Sequence, residues 1–159
     1  MKLNIGSGNS SKQGYASVDK YCQADYEADF INLPFPDNSI QEVYTSHTLE
    51  HLGKFEVPIA LKELYRVLEP KGIFTIIVPN LEWCVKTWLQ DSDKRGFYLD
   101  AIYGNQEHSG EYHKTGFTLE GLKKMVEDTG LKVDNAEYVF DHSVQSIYIK
   151  GVKYEEKMV

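Results

Sequence analysis

Apolar and polar positions change period several times along the chain, and each change marks an element. KLNI (2–5) is a short apolar-leaning run broken by Gly6-Ser7-Gly8, and reads as a first strand. ASVD (16–19) reads as a second strand ending in an acid, a third short strand is expected just before Asp29, and EVYTS (42–46) reads as a fourth. The period then lengthens. In FEVPIALKELYRVLEP (55–70), Val57, Ala60, Leu61, Leu64, Val67 and Leu68 recur at three- and four-residue steps, which predicts a helix. Pro58 suits its first turn, where a missing N–H costs nothing, and Pro70 and Gly72 are expected to stop it. GIFTIIVP (72–79) is apolar on both faces, as expected of a central parallel strand covered by helices on each side. Residues 81–103 read as helix in two pieces, with Trp83, Val85, Trp88 and Leu89 apolar, and 104–116 as a polar, glycine-bearing loop. Thr118 caps a predicted helix that ends at Gly130. The final LKVDNAEYVF and SVQSIYIKGVKY read as a closing antiparallel pair.

Strands alternating with helices predict an α/β fold around a mainly parallel sheet. Ligands of such sheets sit outside the carboxyl ends of the strands. The glycine turn, Asp19, Asp29 and SHTLEH (46–51) all fall at such ends.

Composition narrows the function classes. With 159 residues, one domain spanning 1–159 is the simplest reading. The net charge of −7 and the lack of a Lys/Arg stripe argue against a nucleic-acid footprint, and Lys123-Lys124 reads as a solvated helix face. The longest apolar stretch is far too short to span a bilayer, and MKLNIGSG reaches a glycine before any signal-like run. Cys22 and Cys84 are too few for a disulfide framework, so a cytoplasmic location is expected, with both read as small buried hydrophobes.

The glycine turn raises the question of its ligand. A dinucleotide fold wants G-x-G-x-x-G, an acid ~20 residues on, and a helix facing the pyrophosphate. Here Ser11 stands at the third glycine position, and Asp19 comes too early. Residues 9–15, with Ser10, Ser11 and Gly14, leave room for one helical turn at most. A pyrophosphate would therefore lack its helix dipole, and no Gly-Lys-Ser/Thr follows to make a P-loop. S-adenosylmethionine has no phosphate. A tight Gly6-Ser7-Gly8 turn lets backbone approach it, and Asp19 can accept hydrogen bonds from its ribose hydroxyls. The plainer alternative is a simple chain turn beside a surface acid.

LPFPDNSIQEVYTSHTLEHL (33–52) and KELYRVLEPKGIFTIIVP (62–79) together resemble class I S-adenosylmethionine-dependent methyltransferases, closely over residues 2–80 and more loosely over 115–133. The resemblance implies a Rossmann-like sheet of about seven strands with an antiparallel last strand, here with the first crossover helix missing or very short. It implies cofactor binding by Gly6, Ser7 and Gly8, a ribose contact from Asp19, an adenine contact from Asp29 with Phe30 near the ring, and Ser46 and His47 beside the methionine part. Two departures stand out. Asn4 occupies the place near the turn where the family usually has an acid, and no N-terminal helical cap is expected over the substrate from the residues before the turn. Residues 81–116, or a second subunit in a homo-oligomer, are expected to supply that cover.

His47-Thr48-Leu49-Glu50-His51 matches H-x-x-E-H, but that zinc-protease pattern needs a helix and here a strand runs into His47. A milder metal reading uses His47, Glu50, His51 and His113, since some methyltransferases of the ubiquinone-pathway and small-RNA types resemble this site with Glu-x-x-Glu-His and a later His. An imidazole in place of the first carboxylate makes the site softer and less suited to magnesium. The preferred expectation is no metal, with Glu50 and His51 capping and packing locally. His108 and His113 lie in the polar loop, and His142 reads as structural or surface. The expected reaction is methyl transfer to an oxygen or nitrogen of a small-molecule or sugar-like acceptor, with His113 as first candidate base and His47 as second. A non-catalytic cofactor-binding module on the same fold is the rival reading.

Overall fold

A computed structural model describes residues 1–10 and 12–154. Seven strands, β1 (Lys2–Ile5), β2 (Ala16–Asp19), β3 (Tyr26–Glu27), β4 (Ile40–Ser46), β5 (Leu68–Pro79), β6 (Leu131–Asp141) and β7 (Val144–Lys153), form one sheet. Its order is β3-β2-β1-β4-β5-β7-β6. The first five strands pair in parallel, while β7 runs antiparallel to both β5 and β6. The helices are α1 (Val57–Val67), α2 (Leu81–Gln90), α3 (Arg95–Tyr103) and α4 (Leu119–Glu127). The Rossmann-like sheet expected from the sequence is therefore present.

The β1–β2 connection contains no helix among its described residues; Ser11, one of the residues expected to keep it irregular, lies outside them. Helix α1 is shorter than its apolar period suggested. It ends at Val67 and Leu68 turns extended, because Pro70 removes a donor and biases Glu69 away from the helical region. Strand β5 thus starts four residues earlier than GIFTIIVP, with a register shift opposite Ile40–Glu42. Helix α1 buries Val57, Ala60, Leu61, Leu64 and Val67, and the interior strands β1, β4, β5 and β7 supply most of the rest of the core. At ~1.5–3 kcal/mol per fully buried large aliphatic side chain, this face holds α1 in place.

One polar clamp joins the two halves of the LPFPD…RVLEP pattern. Arg66 donates from Nε and Nη2 to the two oxygens of Glu63, from Nη1 to Phe35 O and Asp37, and from Nη2 to Leu33 O, at 2.7–3.0 Å. Glu63 also accepts from the Leu33 N–H at 2.9 Å. The planar guanidinium matches a carboxylate and two carbonyls at once, which a lysine cannot do. At the far end, Lys153 is buried and donates to Asn38, Tyr65 O and Leu68 O, tying the last strand to the end of α1.

The hydrogen bonds from Arg66 hold the Glu63 carboxyl below its ordinary range. A depressed folded-state value means the stabilisation is complete above the usual carboxylate range and is lost as pH falls through the folded value. Arg66→Ala is expected to lower unfolding stability by about 2 kcal/mol, a figure reduced because the side chain is partly exposed. It should also flatten the acid limb of the stability–pH curve. Urea unfolding of both proteins between neutral pH and pH 3 checks this; parallel curves would show that the clamp contributes nothing through Glu63.

Candidate active site

The carboxyl ends of β1, β2 and β4 open into a cleft of about 240 Å³. Gly6, Gly8, Asp19, Asp29, Phe30 and His47 line it, while Ser7 and Ser46 stand outside its wall. Gly6 and Gly8 both adopt left-handed backbone, with φ of 69° and 55°. At Gly6 a Cβ would overlap the Thr48 side chain, so this position excludes any larger residue on two counts. Thr48 Oγ1 donates toward Ile5 O and Ser46 O at 3.3 and 3.2 Å, which joins the ends of β1 and β4. Asn4 is buried within β1.

Asp19 does more than end a strand. Its Oδ2 accepts from the Gly8 N–H, and its Oδ1 accepts from the Tyr21 and Cys22 N–H groups, each at 2.8 Å. Three of roughly four acceptor sites on the carboxylate are thus taken by backbone, leaving one for a ligand. Asp29 is paired with Lys20 at 2.6 Å and accepts from the Ile31 N–H at 3.2 Å. Phe30 is a core residue whose remaining exposed part faces the cleft. Sequence reasoning missed Lys20, Tyr21 and Thr48. For the first two a signal existed, since both directly follow the acid at the end of β2.

The loop 104–116 closes one side of the cleft with His108, Gly110, Glu111 and Lys114. It is pinned rather than hinged. Lys114 and Thr115 N–H donate to Glu50 O at 2.7 and 3.1 Å, Thr115 Oγ1 donates to Leu52 O, and His113 N–H donates to Tyr103 O. A side chain at Gly104 would overlap Glu111 O, and one at Gly116 would press on Leu81. These glycines permit close packing. Gly110 fits against the Tyr21 ring, which also packs on His108 at 6.3 Å.

The five histidines divide in a way the sequence did not suggest. His47 and His51 do not share a helix face. His47 follows β4 at φ 52°, and only a 3₁₀ turn, Leu49–His51, comes after it. The helical geometry of H-x-x-E-H is absent. His51 packs on His113 at 4.8 Å, and the Glu50, His51 and His113 donor atoms lie within 4.8 Å of one another. The Glu50 side chain caps nothing: both oxygens and His51 Nδ1 are buried without a hydrogen-bond partner. His113 lines a neighbouring cavity with His51 and Glu111, outside the main cleft wall. Burial pushes the His113 imidazole below its usual value, which favours the neutral form with Nδ1 against Ala101 O. For His47, burial works downward, but Glu50 and Asp141 outweigh it and hold the imidazole above its usual value. A raised value disfavours the neutral form that a base must start from, so His47 is the poorer base of the two. His51 alone among the imidazoles lines both cavities.

Removing the Asp19 carboxylate leaves three backbone donors without their acceptor. Asp19→Ala is therefore expected to cost about 2–3 kcal/mol of folding stability even without ligand, alongside any loss of affinity. Thermal and urea unfolding of the ligand-free variant measures it; unchanged stability would mean the turn holds itself. Gly6→Ala should destabilise further, since it adds both a clash and a strained φ.

A family model for a methyltransferase domain matches residues 4–76. The cycloartenol-C-24-methyltransferase of Arabidopsis thaliana is 39% identical over 74 residues, 44% of this chain and 19% of that protein. The sterol 24-C-methyltransferase of Yarrowia lipolytica is 26% identical over 136 residues, 86% of this chain and 32% of that protein. The chain thus spans between a fifth and a third of the length of these relatives. Among solved structures, a Methanosarcina mazei S-adenosylmethionine-dependent methyltransferase superposes with a TM-score of 0.69 at 16% identity, covering 98% of this chain and 92% of that one, which speaks for the shared fold. With the sheet order, the glycine turn and the strand-end acids, these matches make the chain similar to S-adenosylmethionine-dependent methyltransferases, in sequence over residues 4–76 and in fold over nearly its whole length.

Proposed function

We propose that this chain transfers the methyl group of S-adenosylmethionine to a polar small molecule, at an oxygen or nitrogen atom. The observation that carries the proposal is a single cleft joining the Gly6–Gly8 turn, Asp19, Asp29 and Phe30 to the polar side chains of loop 104–116. The turn and acids suit the cofactor: backbone approaches closely at Gly6, one Asp19 lone pair remains for the ribose, and Asp29 faces the adenine end. His108, Glu111 and Lys114 suit a polar acceptor. The curated relatives are named for methylation at a sterol C-24, and a sterol side chain offers nothing for those groups to bind. Residues 81–116 act in this reading as the cover over the acceptor, within one domain.

The transfer is an in-line displacement. The nucleophile forms a bond to the methyl carbon, the sulfonium bond breaks, and its electron pair stays on sulfur as a neutral thioether. The acceptor loses its proton to a base or to solvent. Because the methyl is already activated, alignment and water exclusion by this chain matter most, and a base adds only ~10²–10⁴-fold. His113 supplies a neutral imidazole, and His51 stands between it and the cleft.

A second reading adds a divalent metal, and the buried, unpartnered Glu50 oxygens and His51 Nδ1 support it. Glu50, His51 and His113 would hold the ion, a donor set better suited to zinc-like metals than to magnesium. A bound ion would supply Lewis-acid polarisation of the acceptor oxygen.

Isothermal titration should show binding of S-adenosylmethionine and its demethylated product but not NAD. Tight NAD binding alone would sink the proposal, and cofactor binding with no turnover on any polar acceptor or sterol would favour a non-catalytic module. Hydrogen exchange of 104–116 is expected to slow on addition of cofactor with acceptor. Exchange unchanged with every ligand, and full turnover by His113→Ala, would remove this loop from the site. If the metal reading holds, EDTA lowers turnover and His113→Ala weakens metal uptake.

A further inference from the structure

The turn of the β6–β7 hairpin reaches the end of β4 and sets a second group of donors against His47. We propose that His47, Asp141 and His142 form a binding site for one zinc-like divalent transition-metal ion, separate from Glu50, His51 and His113. The inference does not depend on the methyl-transfer reading.

Geometry comes first. His47 Nε2 lies 3.3 Å from Asp141 Oδ2, and His142 Nε2 lies 3.8 Å from Asp141 Oδ1. Donor atoms of the three side chains all fall within 4.8 Å of one another. Ligands about 2.0–2.2 Å from a tetrahedral zinc ion stand roughly 3.3–3.6 Å apart. One pair already has that spacing, and a small rotation of the exposed His142 ring brings in the third donor. The two imidazoles sit at 5.0 Å with planes at 88°.

The bonding of His47 is the second point. Its Nε2 is buried and touches Asp141, yet the pair lacks the alignment of a hydrogen bond. A donor next to a carboxylate without a bond between them is the arrangement expected where both aim at a shared ion. Behind the ring, Nδ1 faces Glu50 Oε1 at 3.4 Å. A carboxylate on that side favours the proton on Nδ1, which leaves Nε2 free to ligate. Asp141 is oriented in turn by Ser46, whose hydroxyl approaches Oδ2 at 3.4 Å.

The backbone is the third point. His47, His142 and Ser143 adopt φ of 52°, 48° and 65°. A two-residue hairpin turn with both φ values positive favours Asn-Gly. His and Ser in those places accept strain, and at His142 the result is an imidazole turned onto His47. Two histidines and one carboxylate make a borderline donor set suited to Zn²⁺, Ni²⁺ or Cu²⁺ and poorly suited to Mg²⁺. The ion would tie the hairpin to the cleft wall that His47 belongs to.

The test uses the whole chain, stripped with EDTA and dialysed, titrated with Zn²⁺ against a chromophoric chelator, with Mg²⁺ as control. Wild type is expected to take up a Zn²⁺ equivalent whose affinity drops at least tenfold in His142→Ala and in Asp141→Asn but is kept in His113→Ala. His142 is exposed, so His142→Ala is not expected to disturb folding, which circular dichroism confirms. Zn²⁺ should also raise the melting midpoint of wild type more than that of His142→Ala. Absence of Zn²⁺ uptake by wild type overturns the proposal. So does uptake unchanged in His142→Ala and Asp141→Asn, or an equivalent lost only in His113→Ala, which would assign the ion to the other cluster.

Discussion

The cleft rests on one carboxylate. Asp19 accepts three backbone N–H bonds, one from the glycine turn after β1 and two from the chain leaving β2. In a doubly wound sheet the first crossover helix normally braces that turn, and here the described residues of the crossover form no helix. The charge-assisted bonds from Asp19 replace it as the brace. They hold Gly8 against the end of β2, and Gly6 is pinned from the other side by Thr48. Without that carboxylate three N–H groups at the cleft wall would need other partners, and the left-handed turn would lose its anchor.

A second constraint lies at the end of β4. Glu50 is almost wholly buried and its side-chain oxygens make no hydrogen bond, while imidazoles approach from His47, His51 and His113. Burying a carboxylate without hydrogen bonds is costly, and proteins tolerate it where a charge or an ion compensates. Around this residue the chain splits its histidines into two groups, one facing loop 104–116 and one facing the β6–β7 hairpin. The backbone of Glu50 also holds the loop, through Lys114 and Thr115. Electrostatics and loop placement therefore meet at one residue.

Much of this was legible from the residues in order. Apolar period located α1, the Thr118 cap and Gly130 located α4, and the apolar run 72–79 located the central strand, because burial and capping leave local traces. The strand-end positions of Gly6, Gly8, Asp19 and Asp29 pointed to the cleft, and all four line it. The end of α1 was misjudged, since apolar Leu68 continued the helical period while Pro70 set the backbone. Ser46 and Ser7 were expected in the wall and stand outside it. His142 reads as structural or surface and is exposed, and only the hairpin register brings it to His47.

The sequence by itself determined the α/β class, a first crossover with no helix among its described residues and the likeness to methyltransferase domains, because propensity, period and short motifs act over a few residues. Only the tertiary structure decided that Asp19 is mostly occupied by backbone, that Lys20 pairs with Asp29, and that His47 and His51 part company. Each of these depends on which segments converge at the carboxyl ends of the strands. The order β3-β2-β1-β4-β5-β7-β6 brings residues 95 positions apart, Ser46 and Asp141, into contact. No local pattern carries that information, since side-chain pairing across a sheet is set by the packing of the whole core.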